Sequence, residues 1–380
     1  MAAAPSAALP PSSLDDEEDL RVWTLRRARA GGRTRLLCAA ASLAAVAIVA
    51  AAAYSSGVGN GGGGSGSSVR RRAPTLLPGS LRFATIGDWG REGAWGQLAT
   101  ARALGELAEL ADASFIVSVG DNFYENGIDT DAGDRAFNSS WRNVYTHPGL
   151  ARRPWLAVGG NHDYRGNLSA QSAFSGDARW HFELNYTRSW PLPAPAGGGA
   201  APASHCLRAV FIDTTPLLAY YRDGGEGVGR MAANINASAT PAQQYAWLRE
   251  QLDAAGRACR AVVVVGHHPV YTGGSHGNSR DLLAGLLLLL VEYRVDAYFA
   301  GHDHLLNHLV ANGTDFVLSG GGSKIRVEGA ASPESVFVWE RNGFTLTSVN
   351  ASHMAHSYID GESGAAVWEV VRPLKRAAQA

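Results

Sequence analysis

Six short apolar runs, each built like a buried strand and each ending in a polar cluster, constrain this chain more than any other feature. They are LRFATIGDWG, SFIVSVGDNFY, PWLAVGGNHD, RAVFIDTT, RAVVVVGHHP and DAYFAGHDH. Helical patterns lie between several of them. Residues 97–111 place Leu98, Ala101, Leu104, Ala108 and Ala111 on one face. Residues 241–254 follow Thr240 as N-cap, with Pro241 at the first helical position and Tyr245, Leu248 and Leu252 spaced along one face. The apolar run 282–291 is too short to cross a bilayer and predicts one buried core helix. From about residue 314 only strand-like segments follow: DFVLSG, SVFVWE, GFTLTSVN and AAVWEVV. Strands alternating with helices, then strands alone, predict a layered α/β sandwich. Residues 191–203, rich in Pro, Ala and Gly, read as a surface loop.

The first 80 residues are of another kind. Residues 1–35 have no apolar period and read as a solvated cytosolic tail. Residues 36–54 are uncharged, about the length that crosses a hydrocarbon core of roughly 30 Å. Arginines 26, 27, 29, 33 and 35 precede this stretch, so the positive-inside rule places the N-terminus in the cytosol and the body in a lumen or outside the cell. The expectation is a single-pass signal-anchor; the competing reading is a cleaved signal and a secreted protein. Residues 55–80 read as a Gly/Ser tether, residues 81–372 as the folded body and 373–380 as a tail. Asn138, Asn167, Asn185, Asn236, Asn312 and Asn350 head N-x-S/T triplets, glycosylation candidates if the body is luminal. Cys206 and Cys259 each precede a strand-like run; if those strands are neighbours, the thiols are placed to pair in an oxidising lumen. Three cysteines cannot form a thiolate zinc site or a disulfide framework, and a net charge of −1 argues against nucleic-acid binding. Oligomeric state is not readable.

The polar clusters sit at the C-terminal ends of the strands, the edge of an α/β sheet where loops converge on ligands. Together they offer Asp88; Asp121, Asn122 and Tyr124; Asn161 and His162; His267 and His268; His302 and His304. Oxygen and imidazole donors without thiolates suit Fe, Mn or Zn, and they exceed the needs of one ion. Two ions about 3.5–4 Å apart, bridged by one carboxylate, would use them all.

The blocks GDWG, GDNFY, GNHD, GHHPV and GHDH, in that order, resemble the metallophosphoesterases. The Tyr in GDNFY makes the chain similar to the purple acid phosphatases. GHHPVYTGGSHG and AGHDHLLNHLVANGTDFVLSGGG look like their small, tartrate-resistant, mammalian-type branch. The resemblance spans about residues 81–370. It implies a four-layer αββα sandwich of calcineurin-like type and an acid phosphatase that hydrolyses phosphate monoesters with a metal-activated hydroxide. It further implies Fe(III) held by Asp88, Asp121, Tyr124 and His304. Asp121 would bridge to a divalent Fe, Zn or Mn held by Asn161, His267 and His302. His162 and His276 would stand beside the phosphate oxygens as catalytic groups. His268 departs from the branch, which often has Tyr there. His308 and His353 read as surface residues. The rival readings are a phosphodiesterase or pyrophosphatase of the same superfamily, and a redox-active di-iron surface protein.

Overall fold

The computed structural model describes residues 72–193, 204–224, 229–327 and 332–376. The chain divides into two units, Met1–Arg70 and Arg71–Ala380, and every described residue belongs to the second. The expected membrane segment 36–54, its flanking tail, most of the tether and residues 194–203 of the proposed loop lie outside the described residues. Among those described, no helix is long and apolar enough to cross a membrane.

The described residues form fourteen strands: β1 Leu81–Ile86, β2 Phe115–Ser118, β3 Trp155–Ala157, β4 Trp180–Phe182, β5 Tyr186–Pro191, β6 Cys206–Phe211, β7 Ala261–Val265, β8 Ala297–Ala300, β9 Leu306–Ala311, β10 Thr314–Ser319, β11 Ser335–Trp339, β12 Gly343–Val349, β13 His353–Asp360 and β14 Ala366–Pro373. They make two seven-stranded sheets, ordered β14-β13-β12-β1-β2-β3-β4 and β11-β9-β10-β8-β7-β6-β5. Strands β1 to β4 run parallel in the first sheet, and β6, β7, β8 and β10 in the second. Each parallel set therefore gathers its C-terminal loops at one edge.

One core, containing Phe83, Phe115, Phe211 and Phe299, lies between the sheets. A second joins the outer face of the first sheet to helix α1, Gln97–Leu110. A third joins the second sheet to α2, Pro241–Ala258, with α3, Arg280–Ala284, and α4, Leu286–Glu292. The result is four layers. Thr240 caps α2 through a reciprocal bond pair with Gln243, whose side chain accepts from the Thr240 amide at 2.9 Å.

Several expectations need correction. Leu98 is 57% exposed, while Gln97 turns inward; its carbonyl accepts from Gly93 N and its amide donates to Ser140 O, tying two loops to the helix start. The run 282–291 is not one helix but breaks at Gly285, where an added Cβ would meet the Tyr245 ring at about 2.5 Å. Strand β13 was hidden because HMAHSYID lacks a continuous apolar run. His308 is not at the surface: it is buried in β9, donates from Nε2 to Asp315 Oδ1 at 2.8 Å and accepts from Trp368 Nε1 at 3.2 Å. His353 is exposed. Both ends of the domain are held: Leu77 N donates to Ser348 Oγ at 3.1 Å, and Lys375 N to Asp296 Oδ1 at 2.8 Å. Cys206 and Cys259, at the start of neighbouring β6 and just before β7, form a disulfide. Of the sequon asparagines, Asn138, Asn236 and Asn312 are exposed, whereas Asn167 donates its amide to Thr130 O at 2.6 Å.

His356, on β13, faces the inter-sheet core beside Phe299, and burial lowers its pKa to about 4. An unfolded histidine takes its proton near ~6.5, so between that value and about 4 the unfolded chain binds more protons than the folded one. Stability from this residue is complete above pH ~6.5 and lost as pH falls toward 4, by roughly 3 kcal/mol in all. Asp213, pushed up to about 7 by burial, acts in the opposite sense, so the measurement is a difference. Urea unfolding should show wild type losing about that much more stability than His356→Asn over this window; parallel pH curves would exclude it.

Candidate metal centre

The strand ends bring the seven expected ligands to one edge. Asp88 follows β1, Asp121 and Tyr124 follow β2, and Asn161 follows β3; His267 follows β7, and His302 and His304 follow β8. The first sheet thus supplies the oxygens and the second the imidazoles. Local backbone geometry serves the convergence. Asp88, Asp121 and His302 all have positive φ, at 59°, 50° and 71°, a region that costs an L-residue roughly 1–2 kcal/mol. Hydrogen bonds hold the turns: His302 N donates to both Asp88 oxygens at 3.1 and 3.0 Å, and Asp88 N to Gly120 O at 3.1 Å. Gly160 must be glycine, since a Cβ there would stand 2.2 Å from Asp121 Oδ1.

The donors fall into two sets. The Tyr124 phenol oxygen lies 3.1 Å from Asp88 Oδ1, 2.9 Å from Asp121 Oδ2 and 3.1 Å from His304 Nε2. Asn161 Oδ1 lies 3.1 Å from both His267 Nε2 and His302 Nδ1, and Asp121 Oδ1 is 3.5 Å from His267 Nε2. Ligands bonded at about 2.1 Å on adjacent corners of an octahedron are about 3 Å apart, the separation seen in each set. Charge agrees with this fit. Burial and the neighbouring charge of Asp121 push the Asp88 carboxyl well above its ordinary range, and burial together with both carboxylates does the same to the Tyr124 phenol. Cations between these groups would reverse both shifts.

Around the donors stand groups that hold or neutralise. His267 Nδ1 donates to Val119 O at 2.8 Å, leaving Nε2 for a metal. The His162 Nδ1 edge meets Glu125 O at 2.6 Å, while Nε2 lies 3.9 Å from Asp121 Oδ2; burial lowers its pKa well below the ordinary value. His276 packs its ring 4.2 Å from that of His302. His268 is buried between Thr214 and Tyr221, with its ring 4.5 Å from His302.

Three contributors, Arg91, Asp163 and Asp303, were missed by sequence reasoning, and the role of a fourth, Asn122, was misread. The Arg91 guanidinium lies 3.7 Å over the Tyr124 ring and pairs with Glu125. Asp163 accepts from Gly160 N and Asn122 N, bracing the two ligand loops. Asn122, which the motif reading left as a possible donor, instead bonds Ser118, Val158 O and Asp163. Asp303 binds His276. Asp163, Asn122 and Asp303 stand inside GNHD, GDNFY and GHDH, and Arg91 directly follows GDWG, which is the signal that could have flagged them.

A two-sheet sandwich whose shared edge carries two buried sets of hard oxygen and imidazole donors defines a metal-dependent phosphoesterase site. Residues 81–306 match the calcineurin-like phosphoesterase family, and the chain belongs to that family. Within it the chain is a purple acid phosphatase, hence a metal-dependent phosphatase. It is 35% identical to purple acid phosphatase 7 of Arabidopsis thaliana over 74% of this chain and 83% of that protein. It is 37% identical to tartrate-resistant acid phosphatase type 5 of Sus scrofa over 67% of this chain and 72% of that protein. Its fold is similar to that of GAP50, the anchor in the inner membrane complex of Plasmodium, with a TM-score of 0.67 and 24% identity over 79% of this chain and 90% of the other.

Proposed function

We propose that this phosphatase hydrolyses phosphate monoesters on the acid side of neutrality with a binuclear Fe(III)–M(II) centre, M being Fe, Zn or Mn. The observation that carries this reading is the convergence of the Tyr124 phenol oxygen with Asp88, Asp121 and His304 within 2.9–3.1 Å. Phenolate and carboxylate are hard anionic donors that favour the ferric state, whereas the amide of Asn161 and the imidazoles of His267 and His302 suit a divalent partner. Such a pair supplies Lewis acidity toward phosphoryl oxygens and an activated water. Asp121, with one oxygen near each set, is the residue that would be shared by the two ions.

His162 and His276 serve the substrate. With its Nδ1 proton given to the Glu125 carbonyl, His162 presents Nε2 beside Asp121, where it orients a phosphoryl oxygen. His276 has an anionic partner at Nδ1 and is the better placed to protonate the leaving oxygen. Residues 36–54 are proposed to anchor the domain in a membrane, with the phosphatase luminal or extracellular and the accessible sequons, Asn312 and Asn236 foremost, glycosylated. The disulfide accords with an oxidising compartment.

The full-length protein should hydrolyse p-nitrophenyl phosphate much faster than bis(p-nitrophenyl) phosphate, with an acidic optimum. Preference for the diester would favour the phosphodiesterase reading. An optimum above about pH 8 would contradict the role given to a protonated imidazole.

A further inference from the structure

We propose that Asp303 is a positioning residue that fixes His276 at the metal centre, a reading that deepens the proposed function and rests on it. Asp303 is the residue between the two histidines of GHDH, and its side chain is almost completely buried. Its Oδ1 accepts from two groups of His276, the ring Nδ1 at 2.6 Å and the backbone N at 3.3 Å. One oxygen atom therefore sets both the place of this residue and the rotation of its ring. With Nδ1 turned to the carboxylate, the opposite edge, carrying Nε2, is the one presented to substrate.

The loop that carries His276 is folded around the same carboxylate. An added Cβ on Gly274 would fall 2.3 Å from Asp303 Cγ, so the close wrap depends on glycine. Gly274 N donates to Thr272 Oγ1 at 2.8 Å, and Gly273 N to Asn307 Oδ1 at 2.7 Å, tying the loop to β9. His302 and His304, on either side of Asp303, belong to the two different donor sets. A catalytic imidazole on a surface loop is thus referenced to the short backbone segment that carries ligands for both ions. Groups held by such outer bonds work only within about 0.5 Å of productive geometry.

The test is a double-mutant cycle on the full-length protein: wild type, Asp303→Asn, His276→Ala and the double variant. Each is measured for kcat and KM on p-nitrophenyl phosphate, bound metal, visible absorption and thermal midpoint. Asp303→Asn, nearly isosteric, should keep both metals and the midpoint yet lower kcat by roughly 10–100-fold, the usual effect of removing an outer-shell partner. Placed on His276→Ala it should change kcat by less than about 2-fold, because the group it positions is gone. An undiminished effect on that background would overturn the proposal, since Asp303 would then act independently of His276. So would loss of a metal equivalent from Asp303→Asn. If His276→Ala itself leaves kcat intact, the role assigned to His276 under the proposed function fails, and this proposal with it.

Discussion

Alanine at His302 is expected to strip the divalent ion and to lower turnover by at least about 10³-fold, with the ferric site left in place. The divalent set proposed above is small: Asn161 Oδ1, His267 Nε2, His302 Nδ1 and the carboxylate of Asp121. Two neighbouring imidazoles stand close enough to be asked to compensate: His276, held by Asp303, and His268, which has a ring nitrogen within 4.8 Å of those of His267 and His302. His268 is already engaged. Thr214 Oγ1 accepts from the backbone N of His267 and of His268, at 3.3 and 3.0 Å, so its own proton goes to His268 Nδ1 at 2.9 Å. Swinging His268 into the gap would break that bond and leave a buried hydroxyl unpaired, a penalty of roughly 1–3 kcal/mol. Metal analysis and kcat on the purified variant decide the matter. Two retained ions with near-normal turnover would remove His302 from the ligand set.

Tyr124→Phe should abolish the visible absorption while the fold survives. Among the seven proposed ligands only a phenolate would give ferric iron a visible charge-transfer band. The substitution deletes one oxygen and leaves the ring stacked under Arg91. Asp88, Asp121 and His304 each lose a neighbour at about 3 Å, yet the backbone bonds that shape their loops remain. Iron content and the absorption spectrum of wild type and variant are the readouts. A wild-type protein that holds iron but shows no such band would defeat the ferric assignment; a variant that keeps the band would remove Tyr124 as its source.

The features readable in the sequence are those with a short period or a fixed order. Strand runs ending in Gly plus a polar residue announce a sheet edge, and the order of five such blocks singles out the donors. What the sequence hides is pairing at a distance. β13 pairs on both sides, with β12 and β14, so backbone bonds carry a strand whose side chains, His353 to Asp360, give no apolar alternation. His308 looks like a surface histidine because its partner Asp315 arrives from the next strand and Trp368 from the other sheet. Asp303 looks like a spacer between two proposed ligands because its partner, His276, lies 27 residues earlier. Gln97 and Leu98 exchange the roles that hydropathy predicts, since two loop groups demand an amide at the helix start.

The division of donors between the sheets has a consequence for the life of the protein before it meets any substrate. Asp88, Asp121, Tyr124 and Asn161 belong to one half of the sandwich, and His267, His302 and His304 to the other. An ion bound across them acts as a rivet that exists only when the halves are correctly apposed, so loading favours the native state by mass action. The same edge holds two buried carboxylates, Asp88 and Asp121, whose mutual repulsion a bound cation would relieve. With the centre loaded as proposed, durability would follow metal supply: chelation is expected to lower the thermal midpoint of the purified protein.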